Sequence, residues 1–185
     1  MSLKSIICIA VGACTAMTAV LAAPAVSELS SRLRQAVCDT SHAAPFWGSY
    51  SSARTDHFYS TDYAQVNNSV ADGYEIRGRL GFIFRSPVAS SSIFLRLYNP
   101  DNYDHFYTTN STRADTDITN QGYVDTGYVG YVYTSDVCGS VPLYQLYKAS
   151  ITDHYYTTNK SEADLVVKDD GYVLQGVAAY ILPNL

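Results

Sequence analysis

An all-β, β-trefoil-like fold with three pseudo-threefold repeats is what the sequence predicts, and three observations carry that expectation. A four-residue marker recurs three times at nearly constant spacing. Tyrosine, a good strand former, is abundant at 17 residues. Glycines fall at nearly the same offset after the marker in every copy.

The marker is Asp56-His57-Phe58-Tyr59, then Asp104-His105-Phe106-Tyr107, then Asp153-His154-Tyr155-Tyr156, with the histidines 48 and 49 positions apart. Downstream come Gly73-Tyr74, Gly122-Tyr123 and Gly171-Tyr172, spaced by 49 and 49. Gly78, Gly127 and Gly176 follow five residues later, and Phe82, Tyr131 and Tyr180 four beyond those. Tyr50, Tyr98 and Tyr147 precede each histidine by seven. The copies run over residues 43–91, 92–140 and 141–185.

Taken in chain order, the first element is not part of the fold. One positive charge lies in residues 1–4, residues 6–20 are apolar or small, and Val20-Leu21-Ala22 stands before Ala23-Pro24. This pattern predicts a secretory signal peptide over residues 1–22, and a membrane anchor is the competing reading of so short an apolar run. Residues 23–42 form an N-terminal arm, weakly helical in composition over 27–36.

Each copy then parses alike. A first strand covers residues 46–50, 94–98 and 143–147, the last two with partial alternation and β-favouring aromatics. A second carries the marker and runs on to Thr61, Thr109 or Thr158. A polar segment follows; in the third copy Ser161-Glu162-Ala163-Asp164 opens with a helix-capping residue and acids, which predicts a short helical turn. The glycine before Tyr74, Tyr123 and Tyr172 fits a C-cap or turn. Two further strands lie around residues 74–77 and 80–84 and at the matching later positions, with Gly78, Gly127 or Gly176 between them as bulge or turn. That makes about four strands and one helical turn per copy. A propeller needs at least four blades and a solenoid needs capping ends, so three copies favour the trefoil.

Composition narrows the partners. The formal charge is −5, and loss of residues 1–22 removes Lys4 and no acid, giving −6. An acidic chain poor in Lys and Arg matches neither phosphate backbones nor anionic lipid, so nucleic acid and membrane are not expected partners. Cleavage also removes Cys8 and Cys14 and leaves Cys38 and Cys138. An even pair in a secreted chain reads as one disulfide joining the arm to the loop before the third copy; two free thiols are the alternative. Sequons begin at Asn67, Asn110 and Asn159, which in a eukaryotic source would be glycan sites.

Val141-Pro142-Leu143-Tyr144-Gln145-Leu146-Tyr147, His154-Tyr155-Tyr156-Thr157-Thr158-Asn159, Gly171-Tyr172 and Gly176 resemble a tandem-repeat family of unknown function carried on secreted bacterial and fungal proteins. Its pattern is similar to P-L-Y-R-L-Y, then H-F-Y-T-T, then G-Y with E-G shortly after. The likeness covers about residues 44–185 and implies a secreted repeat domain, often appended to hydrolases, with no established chemistry. The family's first-strand arginine is present as Arg96, while Gly48 and Gln145 hold the matching positions. Its glutamate is replaced by Arg77, Thr126 and Gln175. The glutamine–any–tryptophan signature of ricin-type lectins is absent.

Strand alternation puts His57, Tyr59 and Thr61 on one face and Asp56, Phe58 and Ser60 on the other. Imidazole and phenol hydrogen-bond sugar hydroxyls, and aromatic faces pack on sugar C–H surfaces. The expected ligand contacts are therefore His57, Tyr59, His105, Tyr107, His154 and Tyr156, three weak sites acting through avidity. A structural role for the same residues is the competing reading, with aspartate bonding turn amides and histidine bonding buried groups. Three histidines on one axis would also suit zinc, but nothing in the spacing requires a metal, and no cofactor is expected. No G-x-S-x-G, H-E-x-x-H or phosphate loop is present. The expected function is a secreted, non-catalytic, carbohydrate-binding module. The alternatives are a protein-binding module, such as a protease inhibitor or effector, and a structural surface protein.

Overall fold

The computed structural model describes residues 38–183 and 185. The signal-peptide reading of residues 1–22 and the arm up to residue 37 lie outside them.

The sheet is all antiparallel, and its strands fall into three successive segments with one element order. The first holds β1 (Ala43–Ser51), β2 (Asp56–Ser60), α1 (Tyr63–Asn68) running into a 3-10 turn (Ser69–Asp72), and β3 (Glu75–Phe84). The second holds β4 (Ser91–Asn99), β5 (Asp104–Thr108), α2 (Ser111–Asn120) and β6 (Val124–Tyr133). The third holds β7 (Val141–Lys148), β8 (Asp153–Thr157), α3 (Lys160–Asp169) and β9 (Val173–Ile181).

Two expectations need correction. Each segment has three strands rather than four, because Gly78, Gly127 and Gly176 (φ 110°, 90° and 127°) bend a continuous strand without ending it. The pairings shift register beside them, between Gly48 and Ser49, Leu95 and Leu97, and Gln145 and Leu146. The helical parts also exceed one turn. Asn110 and Asn159 cap 10-residue helices through their side-chain oxygens, so the third helix starts from Asn159 rather than Ser161. Gly73, Gly122 and Gly171, at φ 86°, 75° and 77°, turn each chain out of its helical segment into the next strand.

Within a segment the first strand lies in the middle, paired to both others. Between segments strand pairing narrows to Phe84 opposite Tyr131, Tyr133 opposite Tyr180, and a bridge from Phe82 to Leu182 that returns the end of the chain to the first segment. The central core takes the same positions from each segment: Phe46, Phe94 and Leu143; Tyr59, Tyr107 and Tyr156; Ile83, Val132 and Ile181. Smaller apolar clusters sit under the helices, such as Phe58, Val66 and Tyr74, or Leu146, Ala163 and Tyr172. Another cluster, of Phe82, Phe84, Tyr133 and Leu182, has Cys138 packed against it. The cysteines are paired as Cys38–Cys138, with Cα atoms 5.3 Å apart, which ties the end of the arm to the loop before β7. Among the described residues no helix is long and apolar enough to cross a membrane.

Candidate functional site

The second strand of each segment is short and covered on both sides. Alternation still sorts its side chains: Tyr59 enters the central core and Phe58 the cluster under α1. The hairpin before it ends on a residue in the left-handed region, Thr55, Tyr103 or Thr152 (φ 54°, 61° and 51°), immediately before each marker aspartate.

Those aspartates are fully buried, and each joins two segments. Asp56 accepts the backbone N–H of His105 at 2.9 Å and its Nδ1–H at 2.7 Å. Asp104 does the same for His154 at 2.7 and 2.6 Å. Asp153 does so for His57 at 3.1 and 2.8 Å, which closes the circuit from the third segment to the first. A carboxylate only accepts, so the ring proton belongs on Nδ1. A third donor reaches each carboxylate from its own segment: the hydroxyl of Tyr74 on Asp56, of Tyr123 on Asp104, and of Tyr172 on Asp153. Burial first, and the facing aspartate second, push these three phenols above the ordinary tyrosine range, so they stay protonated and keep donating. Asp56, Asp104 and Asp153 also converge, each offering an oxygen within 4.8 Å of the others. The donors from histidine and tyrosine meet the desolvation cost of three buried charges placed so close.

Nearer the centre lies a second circuit. The Tyr107 hydroxyl accepts from the Tyr59 N–H at 2.8 Å and donates to the Tyr59 carbonyl at 2.9 Å. Tyr156 serves Tyr107 in the same way at 2.9 and 2.9 Å, and Tyr59 serves Tyr156 at 3.0 and 3.1 Å. The rings meet edge to face with centroids 5.5–5.6 Å apart. The expected ligand contacts Tyr59, Tyr107 and Tyr156 are thus core residues, 0–2 % exposed, with hydroxyls committed to backbone. Edges of Tyr59 and Tyr156 reach only the floor of a cleft.

The histidines lie further out, each between two rings. His57 sits 4.4 Å from Tyr50 and 4.7 Å from Tyr155. His105 sits 4.5 Å from Tyr98 and 5.0 Å from Phe58, and His154 sits 4.5 Å from Tyr147 and 4.7 Å from Phe106. In each case the tyrosine is the directly opposed residue of the neighbouring strand.

Two clefts open at these junctions. The first, about 780 Å³, lies between the third and first segments and contains His57, Tyr50, Tyr155, Arg77 and Lys148. The second, about 420 Å³, lies between the first and second segments and contains His105, Tyr98, Arg54 and Arg96. With Nδ1 held by aspartate, Nε2 is the ring nitrogen left to a ligand. The third junction is tighter: the His154 side chain is 5 % exposed against 16 % and 15 % for His57 and His105, and its Nε2 has no hydrogen-bond partner among the described residues.

Sequence reasoning named the histidines but missed the residues that hold and flank them. Tyr74, Tyr123 and Tyr172 were visible as the second marker, 18 or 19 residues after the aspartates they bond. Of the arginines, Arg96 stands where the resembled family has its first-strand arginine, while Arg54 and Arg77 do not recur at matched positions and carried no such signal. Asn67, Asn110 and Asn159 are all exposed. Capping by Asn110 and Asn159 uses Oδ1, which leaves the nitrogen available for a glycan.

Residues 45–182 match the model of a family described as Domain of unknown function (DUF5648), and the chain belongs to that family. No curated protein and no solved structure matches it.

Proposed function

We propose that this member of the family is a secreted, non-catalytic glycan-binding module, its three segments arranged as trefoil-like repeats about a central axis, with sites in the clefts at segment junctions. The observation that carries the reading is the pair of clefts in which a histidine is fixed by a buried aspartate and flanked by aromatic rings. A sugar presents hydroxyls on its rim and C–H groups on its faces. A fixed Nε2 and neighbouring polar side chains suit the first, and half-buried rings such as Tyr50, Tyr98 and Tyr155 suit the second. The first cleft adds Asn159 and Glu162, and the second adds Gln65 and Asn68, as further hydrogen-bonding groups. Two sites on one rigid body would bind a repeating polymer with avidity.

The test is binding of the disulfide-intact protein to a broad glycan array and to insoluble cell-wall polysaccharides. His57→Ala and His105→Ala should each weaken binding to one glycan class, and the double variant should abolish it, with circular dichroism unchanged. His154→Ala should affect stability more than binding. No binding to any glycan by the folded protein would remove this reading and bring protein ligands forward.

A further inference from the structure

Charge in the two clefts runs against the composition. The chain is formally −5, yet of the nine Lys and Arg among the described residues five line the clefts: Arg77, Arg79 and Lys148 in the first, Arg54 and Arg96 in the second. The acids on the same walls are fewer, Glu162 and Asp170 in the first and Asp72 in the second. Asp153 and Asp56 lie behind the histidines and are already met by imidazole, phenol and backbone N–H.

Aromatic faces rather than carboxylates hold most of these cations. The Arg77 guanidinium lies 5.5 Å from the Tyr50 ring, Arg54 lies 5.7 Å from Tyr74 and 5.3 Å from Tyr103, and Arg96 lies 5.5 Å from Phe58. The Lys148 ammonium lies 5.7 Å from Tyr172. Arg54 and Arg77 meet carboxylates only in exposed pairs, with Asp72 at 3.5 Å and Glu75 at 3.1 Å, which solvent screens. Arg96 is anchored by neutral groups: Nε to the Thr126 hydroxyl at 3.1 Å and Nη1 to the Gln65 side chain at 3.0 Å. Its charge beside His105 is therefore left for a ligand.

Comparing the two junctions strengthens the point. Where the second cleft has Arg96 on β4 and Thr126 on β6, the first has Gly48 on β1 and Arg77 on β3. An arginine lines each cleft, supplied from a different strand.

We infer that the two junction clefts take an acidic saccharide, one bearing a carboxylate or sulfate that the arginines grip while a sugar hydroxyl donates to the histidine Nε2 and the sugar ring packs on the flanking aromatics. The inference rests on the glycan-binding reading and narrows it. Arginine suits this role because its planar fork matches a carboxylate or sulfate at two points.

The experiment measures binding of the disulfide-intact protein to polygalacturonate, dextran sulfate and neutral dextran at low and high salt, beside the broad glycan array. The expected result is binding to an acidic polymer, weakened by salt and not shared by neutral dextran. Arg54→Gln and Arg96→Gln should each raise Kd roughly tenfold or more at the second cleft, and Arg77→Gln should do so at the first. Arg85→Gln, outside both clefts, should change nothing. Thermal melts serve as the folding control, and Arg54→Gln, whose only ion pair among the described residues is the exposed one with Asp72, keeps the test valid if Arg96→Gln proves unstable. Preference for polygalacturonate assigns a carboxylate, and preference for dextran sulfate assigns a sulfate. Equal binding of neutral and acidic glycans, unmoved by the arginine variants, overturns the acidic class while glycan binding stands. Absence of binding to every glycan overturns both.

Discussion

Removing a single oxygen from the centre of the protein tests whether the tyrosine circuit holds the segments together. In Tyr107→Phe the ring and its packing remain, so no cavity of consequence is made. What disappears is the hydroxyl that meets the Tyr59 N–H at 2.8 Å and the Tyr59 carbonyl at 2.9 Å. Two hydrogen bonds are lost, and two backbone groups are left unpaired in a core where Tyr59 is 2 % exposed. Losing such a bond with its buried partner left stranded costs about 1–2 kcal/mol, so with two such groups the variant should lose about 2–4 kcal/mol in all. For a domain of this size that lowers Tm by roughly 5–15 °C. Urea unfolding and calorimetry with the disulfide intact measure it. Tyr59→Phe and Tyr156→Phe should cost similar amounts, because each hydroxyl serves another segment's backbone in the same way. A loss below about 0.5 kcal/mol in all three would refute the reasoning, since the circuit would then contribute nothing beyond ring packing.

Alkali should unfold the protein through its buried phenols. Tyr74, Tyr123 and Tyr172 are raised by burial and then by their aspartates, and Tyr107 by burial. The unfolded chain releases these protons near pH 10 while the folded chain keeps them. Their stabilisation is therefore full below about pH 10 and drains above it, by up to about 1.4 kcal/mol per pH unit for each tyrosine. Tyrosinate absorbance should rise together with loss of circular dichroism; ordinary titration with native dichroism would contradict this. Gly130→Ala should destabilise by about 1–3 kcal/mol, because its Cβ would stand 2.6 Å from the Phe84 carbonyl oxygen at the seam between segments; a neutral effect in denaturant melts would show that the seam yields. Serine at Cys38 and Cys138 should cost about 2–4 kcal/mol, since the bridge spans 100 residues; melts that coincide with wild type would show that the loop adds no constraint.

Much of the architecture is legible in the sequence because it is periodic. The marker spacing fixes three segments, and the apolar residues within each predict strands. The even pair of cysteines left outside the expected signal peptide predicts the bridge between Cys38 and Cys138. Gly78, Gly127 and Gly176 allow either a turn or a bulge, and only strand pairing settles on the bulge. The marker's residue types are equally plain, but not their partners. Asp56 reaches a histidine 49 residues away, Asp153 one 96 residues away, and Tyr59 a carbonyl 97 residues away. No local propensity encodes those distances; they exist only once the third segment closes on the first. That closure sends Tyr59, Tyr107 and Tyr156 inward and leaves His57 and His105 at the clefts. It also gathers scattered arginines onto their walls, which the net charge alone would never have shown. Sequence determines what repeats, because repetition is local; tertiary structure decides what each repeated residue faces, because the partners that fix the marker's Asp, His and core Tyr include residues of another segment.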